Sequence, residues 1–518
     1  MFSSEHNRSH FPVETLLLGF FLVLTFFPLW VTAARLSYIA YNNASDTFLY
    51  LDIARNIATG KGFVVSFNGY QYWPGAYHSA LAYVHVGLPL FLSVFYPFFK
   101  AIEGFILVNA VLAVINCFLI FRLVKRITEN KIWAVWVAVL AASTVCMQNT
   151  VLRILTEQLS FLVTLAALCV FAAPDRLSRH RILLVGFLLA AGMLIRSSSI
   201  LLLLAFALAL GLERRPGRER LRDIFFLCLC PLILFVAYQV LVYARTNAFF
   251  PEYPRAFKNF YVATWLTGGN FFPELPVVRP VGSYAALAKL GVNAWEALRV
   301  FFCTLRVLFF LALWQFIRIF RQRDRREMVL LMVAVLPFAA ILVFYPYVRL
   351  HEFELVRFLL PSVVALLIIG IRGLSDFGQR FLPRTKALFF HAVLFVIFAS
   401  NYYQSYKVLE IYWHKETRQT VGQLEAVPVW LKQNTSSEDL IAAQEVLYGL
   451  VYLDRPVVAV PFRNTLSQNN LEAFIRIYKP AVIIYEKVFG MERVLGPLGY
   501  AKVQDWLPES HFDIFQRR

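Results

Sequence analysis

The chain has 518 residues, of which 59% are hydrophobic and 16% charged, with 50 phenylalanines and a mean hydropathy of +0.61. This balance excludes a soluble enzyme and leaves a polytopic membrane protein, with room for roughly ten or more spans of about 20 residues. The net charge of +18 does not indicate a nucleic-acid partner, because the tail from Gln404 onward is neutral, with 13 basic and 13 acidic residues. The excess lies in the loops of the apolar part, where basic residues first set topology.

In chain order, the apolar run from Pro12 to Ala34 predicts a retained first helix (about 13–34), since no small-residue cleavage site follows it. A polar, aromatic stretch runs on to about Pro97. Further helices are predicted at about 104–121, ending at Arg122, Lys125 and Arg126, then at about 132–150 and about 157–173. The next run, Ile182 to Leu212, is too long for one untilted crossing, at about 46 Å for 1.5 Å per residue. Both of its flanks are basic, Arg179 and Arg181 before it and Arg214, Arg215 and Arg218 after it, so both ends belong on the cytoplasmic side. It predicts a hairpin bent near Arg196-Ser197-Ser198-Ser199, with Arg196 at the far end.

Helices at about 224–243, 300–317, 328–344, 355–370 and 387–403 complete the path, with an outer loop at about 245–298 between the first two. The total is about 11 crossings, with the N-terminus inside and the tail outside. Counting Ser79–Phe99 as a crossing would invert every later basic loop, and Pro89 interrupts it, so it predicts a helix lying in the interface or re-entering from outside. In the tail, 404–518, the apolar runs shorten to Leu440–Ala443, Val457–Val460 and Ala481–Tyr485. They alternate with helical stretches Thr420–Gln433 and Leu471–Lys479, the pattern of a small α/β domain. The six cysteines (Cys117, Cys146, Cys169, Cys228, Cys230, Cys303) all fall in apolar runs and predict neither disulfides nor a metal cluster.

Several polar residues stand at the predicted outer boundary. From Thr47 on, Phe48, Leu51, Ile53/Ala54 and Ile57/Ala58 mark one apolar stripe, predicting an amphipathic interfacial helix that ends at Gly60. Asp46 sits just before it, placed either to cap the helix or to present a carboxylate. Glu157 opens the helix at about 157–173, as a solvated interfacial acid or a functional one. Arg196 and Arg357 border apolar helices, where a guanidinium either snorkels to headgroups or meets an anion. His351, beside Glu352 and Glu354, reads as an interfacial polar cluster and not as a metal site.

The segment Asp46-x-x-x-Tyr50-Leu51-x-x-Ala54-x-x-Ile57-x-x-Gly60-x-Gly62-Phe63, just after a first transmembrane helix, resembles the start of the GT-C membrane glycosyltransferases. That group includes the dolichyl-phosphate-mannose protein mannosyltransferases and the aminoarabinose transferases acting on lipid A. Also similar to them are the aromatic-Pro run from Trp73-Pro74 to Leu88-Pro89-Leu90, Thr156-Glu157, Leu194-Ile195-Arg196 and Arg357-Phe358-Leu359-Leu360-Pro361. The tail, with Trp430-Leu431-Lys432 and Asp454-Arg455-Pro456-Val457-Val458, is similar as well.

The resemblance implies a polytopic α-helical GT-C module over 1–403, with outer juxtamembrane helices at about 45–100, and a C-terminal extracytoplasmic α/β domain over 404–518. It implies transfer of a monosaccharide from a polyprenyl-phosphate donor to a hydroxyl of a lipid, glycan or protein acceptor, at the outer face of the plasma (inner) membrane, without metal or other cofactor. Asp46 matches the family's catalytic carboxylate, the general base on the acceptor hydroxyl. The acid that often follows it is replaced by Thr47, which makes Glu157 the best second carboxylate. Arg196 and Arg357 are the expected donor phosphate ligands, with Lys61, Arg55, His78 and His351 as lesser candidates. The alternatives are a transporter or flippase of lipid-linked glycans, which would carry mid-helix charges, and an O-antigen polymerase or ligase, which would lack the Asp-led segment and the α/β tail.

Overall fold

The computed structural model describes residues 45–64, 85–99, 102–152, 154, 156–174, 177–196, 198–246, 283–344, 357–381 and 386–412, with positions 18, 19, 22, 23 and 26 of the first apolar run. In the tail it describes 427, 429–443, 457–459, 472, 475–476, 478–486, 492–503 and 512–518. The expected site residues His78 and His351, with Glu352 and Glu354 beside the latter, lie outside the described residues, as does most of the 245–298 loop.

The described helices are α1 (Ser45–Ala58), α2 (Gly87–Phe95), α3 (Ile102–Thr128), α4 (Lys131–Ser143), α5 (Val145–Leu152), α6 (Thr156–Phe171), α7 (Arg179–Ile195) and α8 (Ser199–Leu212). They continue with α9 (Gly217–Thr246), α10 (Ser283–Leu305), α11 (Val307–Gln322), α12 (Arg325–Phe344), α13 (Leu360–Phe381) and α14 (Lys386–Tyr412). Three of them (α3, α9 and α13) hold stretches long and apolar enough to cross a membrane, or up to five spans if each of two bent pairs is one. The long run at 182–212 is divided as its length requires, with α7 and α8 meeting across residues 196–198.

Interhelical bonds sort the helix ends into two sets. Arg325 donates to the Ala173 carbonyl at 3.0 Å, Arg326 to that of Pro174 at 3.3 Å and Arg214 to that of Arg321 at 2.6 Å. Arg126 bonds the Cys169 carbonyl and Arg220 that of Gly211. The basic loops after α3, α6, α8 and α11 are thus joined at one end. Arg318 reaches both Asp376 and Glu327, Arg372 also pairs with Glu327, and the same layer is closed by Gln315 donating to Asp376 at 3.0 Å. The first residues of α6, the last of α7 and the first of α8 lie at the opposite end of those helices.

Several expectations differ from what is found, among them the outer loop, whose residues 283–298 belong to α10. Helix α1 begins at Ser45, so Asp46 lies within its first turn and not ahead of it. Its polar side is not at a water surface either: Thr47, Asp52 and Asn56 are buried along with Leu51, Ile53 and Ala54. The polar groups find partners inside, Arg55 donating to Asp52 at 2.9 Å and Asn56 to the Val64 carbonyl at 2.9 Å. Gly60 does end the helix, in the left-handed region at φ +79°, while the Lys61 N–H caps the Asn56 carbonyl at 2.8 Å.

The expected helix at 132–150 is broken between α4 and α5 with a 59° bend. The one expected at 300–317 spans two helices meeting at 108°, with Arg306 at the corner at φ +53°. The Arg306 guanidinium donates to the Ser400 hydroxyl at 2.5 Å, and Asn401 to the Thr304 carbonyl at 3.1 Å. These bonds from α14 hold the corner and serve the carbonyl that the helix break exposes.

Within 79–99, the described helix is α2, nine residues long and therefore about 13 Å, too short to cross. Its Gly87 is required by close approach: a Cβ there would lie 2.6 Å from Ile195 Cγ1 and 3.0 Å from the Ile195 Cα. This places α2 against the end of α7.

In the tail the described strands are β1 (Ile441–Ala443), β2 (Val457–Ala459), β3 (Val482–Glu486), β4 (Tyr500–Lys502) and β5 (Phe512–Arg517). They form one sheet in the order β2-β1-β3-β5-β4, parallel for the first three and antiparallel for the rest. Ala442, Ile483, Tyr485 and Phe515 are buried in its core with Leu495 and Tyr500.

Candidate functional site

The site is built on the chain reversal between α5 and α6. A break there frees backbone carbonyls inside an apolar bundle, where each needs a donor. Side chains from two other helices supply them. Asn109 of α3 donates to the carbonyls of Thr150 and Val151 at 2.7 and 2.9 Å, and Asn116 of α3 donates to that of Gln158 at 3.0 Å. Thr47 of α1 donates to the carbonyl of Ile154 at 3.3 Å. Gln158 in turn donates to the Thr150 hydroxyl at 2.7 Å and accepts from Asn116 at 2.8 Å. The start of α6, and with it Glu157, is thus held from three directions.

Glu157 is buried, with 5% of its side chain exposed, and faces two cations. Its Oε1 lies 2.5 Å from Arg196 Nη1 and 3.6 Å from Arg357 Nε. Its Oε2 is buried with no hydrogen-bond partner among the described residues. Arg196 ends α7 in extended backbone (φ −156°, ψ 125°), which swings its side chain out of the helix and across α6. There it donates to Thr156 Oγ1 at 3.1 Å and Ser198 Oγ at 2.9 Å. Arg357 comes from the turn that leads into α13. The Phe358 ring sits beneath both guanidiniums, 4.7 Å from the Arg196 carbon and 5.0 Å from that of Arg357. Both arginines keep an exposed edge, at 16% and 17% of the side chain.

His85, just ahead of α2, lies near Arg196. Burial chiefly, and the Arg196 charge beside it, lower its pKa to about 4, so it is neutral at pH 7. It adds no third cation.

Of the expected site residues, Glu157, Arg196 and Arg357 are therefore in direct contact, although they stand 39 and 161 positions apart in the chain. Asp46 is on α1, whose next residue, Thr47, bonds three positions ahead of Glu157; the Asp46 side chain falls outside the described residues. Arg55 pairs instead with Asp52 on its own helix. Lys61 is exposed beyond the end of α1 and is not brought to the arginines by any described contact. The sequence assigns no role to Asp52 or His85, and names Thr156 and Phe358 only as motif neighbours of Glu157 and Arg357. Asp52, Arg55, Asn56 and Thr59 do recur on one helical face, a signal that was there to be read.

The family described as dolichyl-phosphate-mannose-protein mannosyltransferase matches residues 87–243, which run from α2 to α9. No curated protein matches the chain. Among solved structures, ArnT from Cupriavidus metallidurans bound to undecaprenyl phosphate is similar over 97% of this chain and 98% of its own, at 14% identity and a TM-score of 0.61. The same protein in its apo state is similar at a TM-score of 0.56 and 13% identity, over 94% and 97% of the two chains. The oligosaccharyltransferase of Archaeoglobus fulgidus in its apo form is similar at 0.51 and 15%, over 92% of this chain and 72% of its own.

Proposed function

With the fold of the GT-C glycosyltransferase superfamily as premise, we propose that this chain transfers a monosaccharide from a polyprenyl-phosphate donor to an acceptor hydroxyl. The observation that carries the proposal is the pairing of Arg196 and Arg357 over Phe358, at the helix ends opposite the basic loops. Two guanidiniums with exposed edges at a membrane boundary are suited to a lipid phosphate, which the structurally similar ArnT holds in its bound form.

In this reading, Asp46 accepts the proton of the acceptor hydroxyl as its oxygen attacks the anomeric carbon. The bond from that carbon to the phosphate oxygen breaks, and the electron pair stays with the phosphate. Arg196 and Arg357 stabilise the charge that develops there. Glu157 has a different part from Asp46. Tied to both arginines, it acts on the donor through them. Lys61 is at most a peripheral attraction for the anionic donor. The site end faces outward by the rule that places the basic loops in the cytoplasm, and the 404–518 domain lies on the same outer side.

The test is transfer of radiolabelled sugar in cells lacking the chain and in cells complemented with it, followed by identification of the labelled acceptor. Label that reaches an acceptor only with the wild-type chain supports the reading. Label that stays on the polyprenyl carrier and merely changes sides of the membrane would favour a flippase.

A further inference from the structure

The arginine pair contains a carboxylate that a simple anion trap would not need. Burying Glu157 between two cations costs desolvation, its Oε2 receives no hydrogen bond among the described residues, and its charge opposes any phosphate that the arginines attract. Holding the arginines apart would not require an acid. Arg196 is already fixed by Thr156, Ser198 and the Phe358 face.

The reaction itself changes the charge of the phosphate. A sugar phosphodiester carries one negative charge. Cleavage of its sugar–oxygen bond leaves a phosphomonoester, whose second ionisation near pH 6 makes it close to doubly charged at neutral pH. Two arginines alone match the product, whereas among the described side chains that meet here two arginines and one carboxylate, with His85 neutral, sum to a single positive charge that matches the donor.

We propose that Glu157 sets the charge of this site to favour the singly charged phosphodiester over the doubly charged monoester, so that the spent polyprenyl phosphate leaves after transfer. This rests on the reading of the arginine pair as the donor phosphate site. Glu157 thereby acts as a specificity-determining residue for the ligand's charge, working through Arg196 and Arg357.

The experiment measures equilibrium binding at pH 8 of two probes, polyprenyl monophosphate and its methyl phosphodiester, to the full-length protein in detergent. The wild-type chain should bind the diester no more weakly than the monoester, despite the smaller charge. Glu157→Gln, nearly the same shape, should tighten monoester binding by about ten-fold or more, with a smaller change for the diester. Glu157→Asp, which keeps the charge, should keep the wild-type ratio of the two affinities. In steady state, Glu157→Gln should show stronger inhibition by polyprenyl monophosphate and a lower kcat, while its single-turnover rate falls less.

Equal loss for both probes in Glu157→Gln would reduce Glu157 to an orienting group and overturn the proposal. So would a wild-type preference for the monoester of more than about ten-fold, a result that stands even if the variant fails to fold. Failure of the wild-type chain to bind either probe would instead overturn the donor-site reading beneath it, and this proposal with it.

Discussion

At the scale of single residues, Asp46→Asn separates two roles. As a base, its loss should lower kcat by about 10²–10⁴ while leaving polyprenyl-phosphate binding intact. Loss of an acid from a helix's first turn costs only about 0.3–1 kcal/mol, so thermal stability should hardly move if that is its whole part. Near-normal kcat in a well-folded variant would remove Asp46 from the chemistry. Arg196→Ala and Arg357→Ala should each raise the KM for the lipid donor, by about 1.5–3 kcal/mol of lost charge-assisted bonding. Lysine at either position should restore only part, because it lacks the planar fork. His85 gives a test by acidity. Its pKa in the folded protein, about 4, lies below the ordinary 6.5, so the unfolded chain binds more protons in between. Stability is therefore full above pH 6.5 and is lost as pH falls towards 4, by an amount of order 3 kcal/mol. His85→Gln should flatten that part of the melting-temperature profile, and an unchanged slope would put His85 in water. Charges standing at the ends of apolar runs were legible in the sequence. The contact that joins Glu157 to Arg196 and Arg357 was not, because it depends on how three helices pack.

At the scale of elements, the apolar runs of α3, α6, α7, α8 and α12 were legible because the basic residues flanking them mark where each span must stop. The breaks were not legible. No proline or glycine marks the α10–α11 corner, and what permits it is Ser400 and Asn401 on α14, nearly a hundred residues away. The buried polar side of α1 was hidden for a similar reason, since the partner of Thr47 is the Ile154 carbonyl, exposed by the break before α6. Small residues set the closest helix contacts. A Cβ on Gly370 of α13 would lie 2.5 Å from the Leu308 carbonyl oxygen of α11, and a backbone atom cannot step aside. Gly370→Ala should therefore destabilise the protein by about 1–3 kcal/mol, seen as a lower melting temperature in detergent. An unaltered melting temperature would show that α11 and α13 do not approach so closely.

At the scale of the whole molecule, the described helices make one assembly with two unlike ends. Basic loops are joined through Arg214, Arg325 and Arg326 at one end, and Glu157, Arg196 and Arg357 gather at the other. In a cysteine-free background, Cys introduced at 218 and 323 should be labelled only after permeabilisation, and Cys at 61 and 438 in intact cells. Labelling at 438 only after permeabilisation would place the tail inside. In that tail the first three strands were legible as short apolar runs. The last two were not, because Tyr500–Lys502 and Phe512–Arg517 mix polar residues into strands that depend on each other for pairing. The central claim, that the two arginines hold a lipid phosphate, is tested most directly by native mass spectrometry with polyprenyl phosphate. The account predicts a bound lipid on the wild-type chain and binding weaker by about 100-fold or more in the folded Arg196→Ala/Arg357→Ala double variant. Equal retention of the lipid by the two proteins would contradict it.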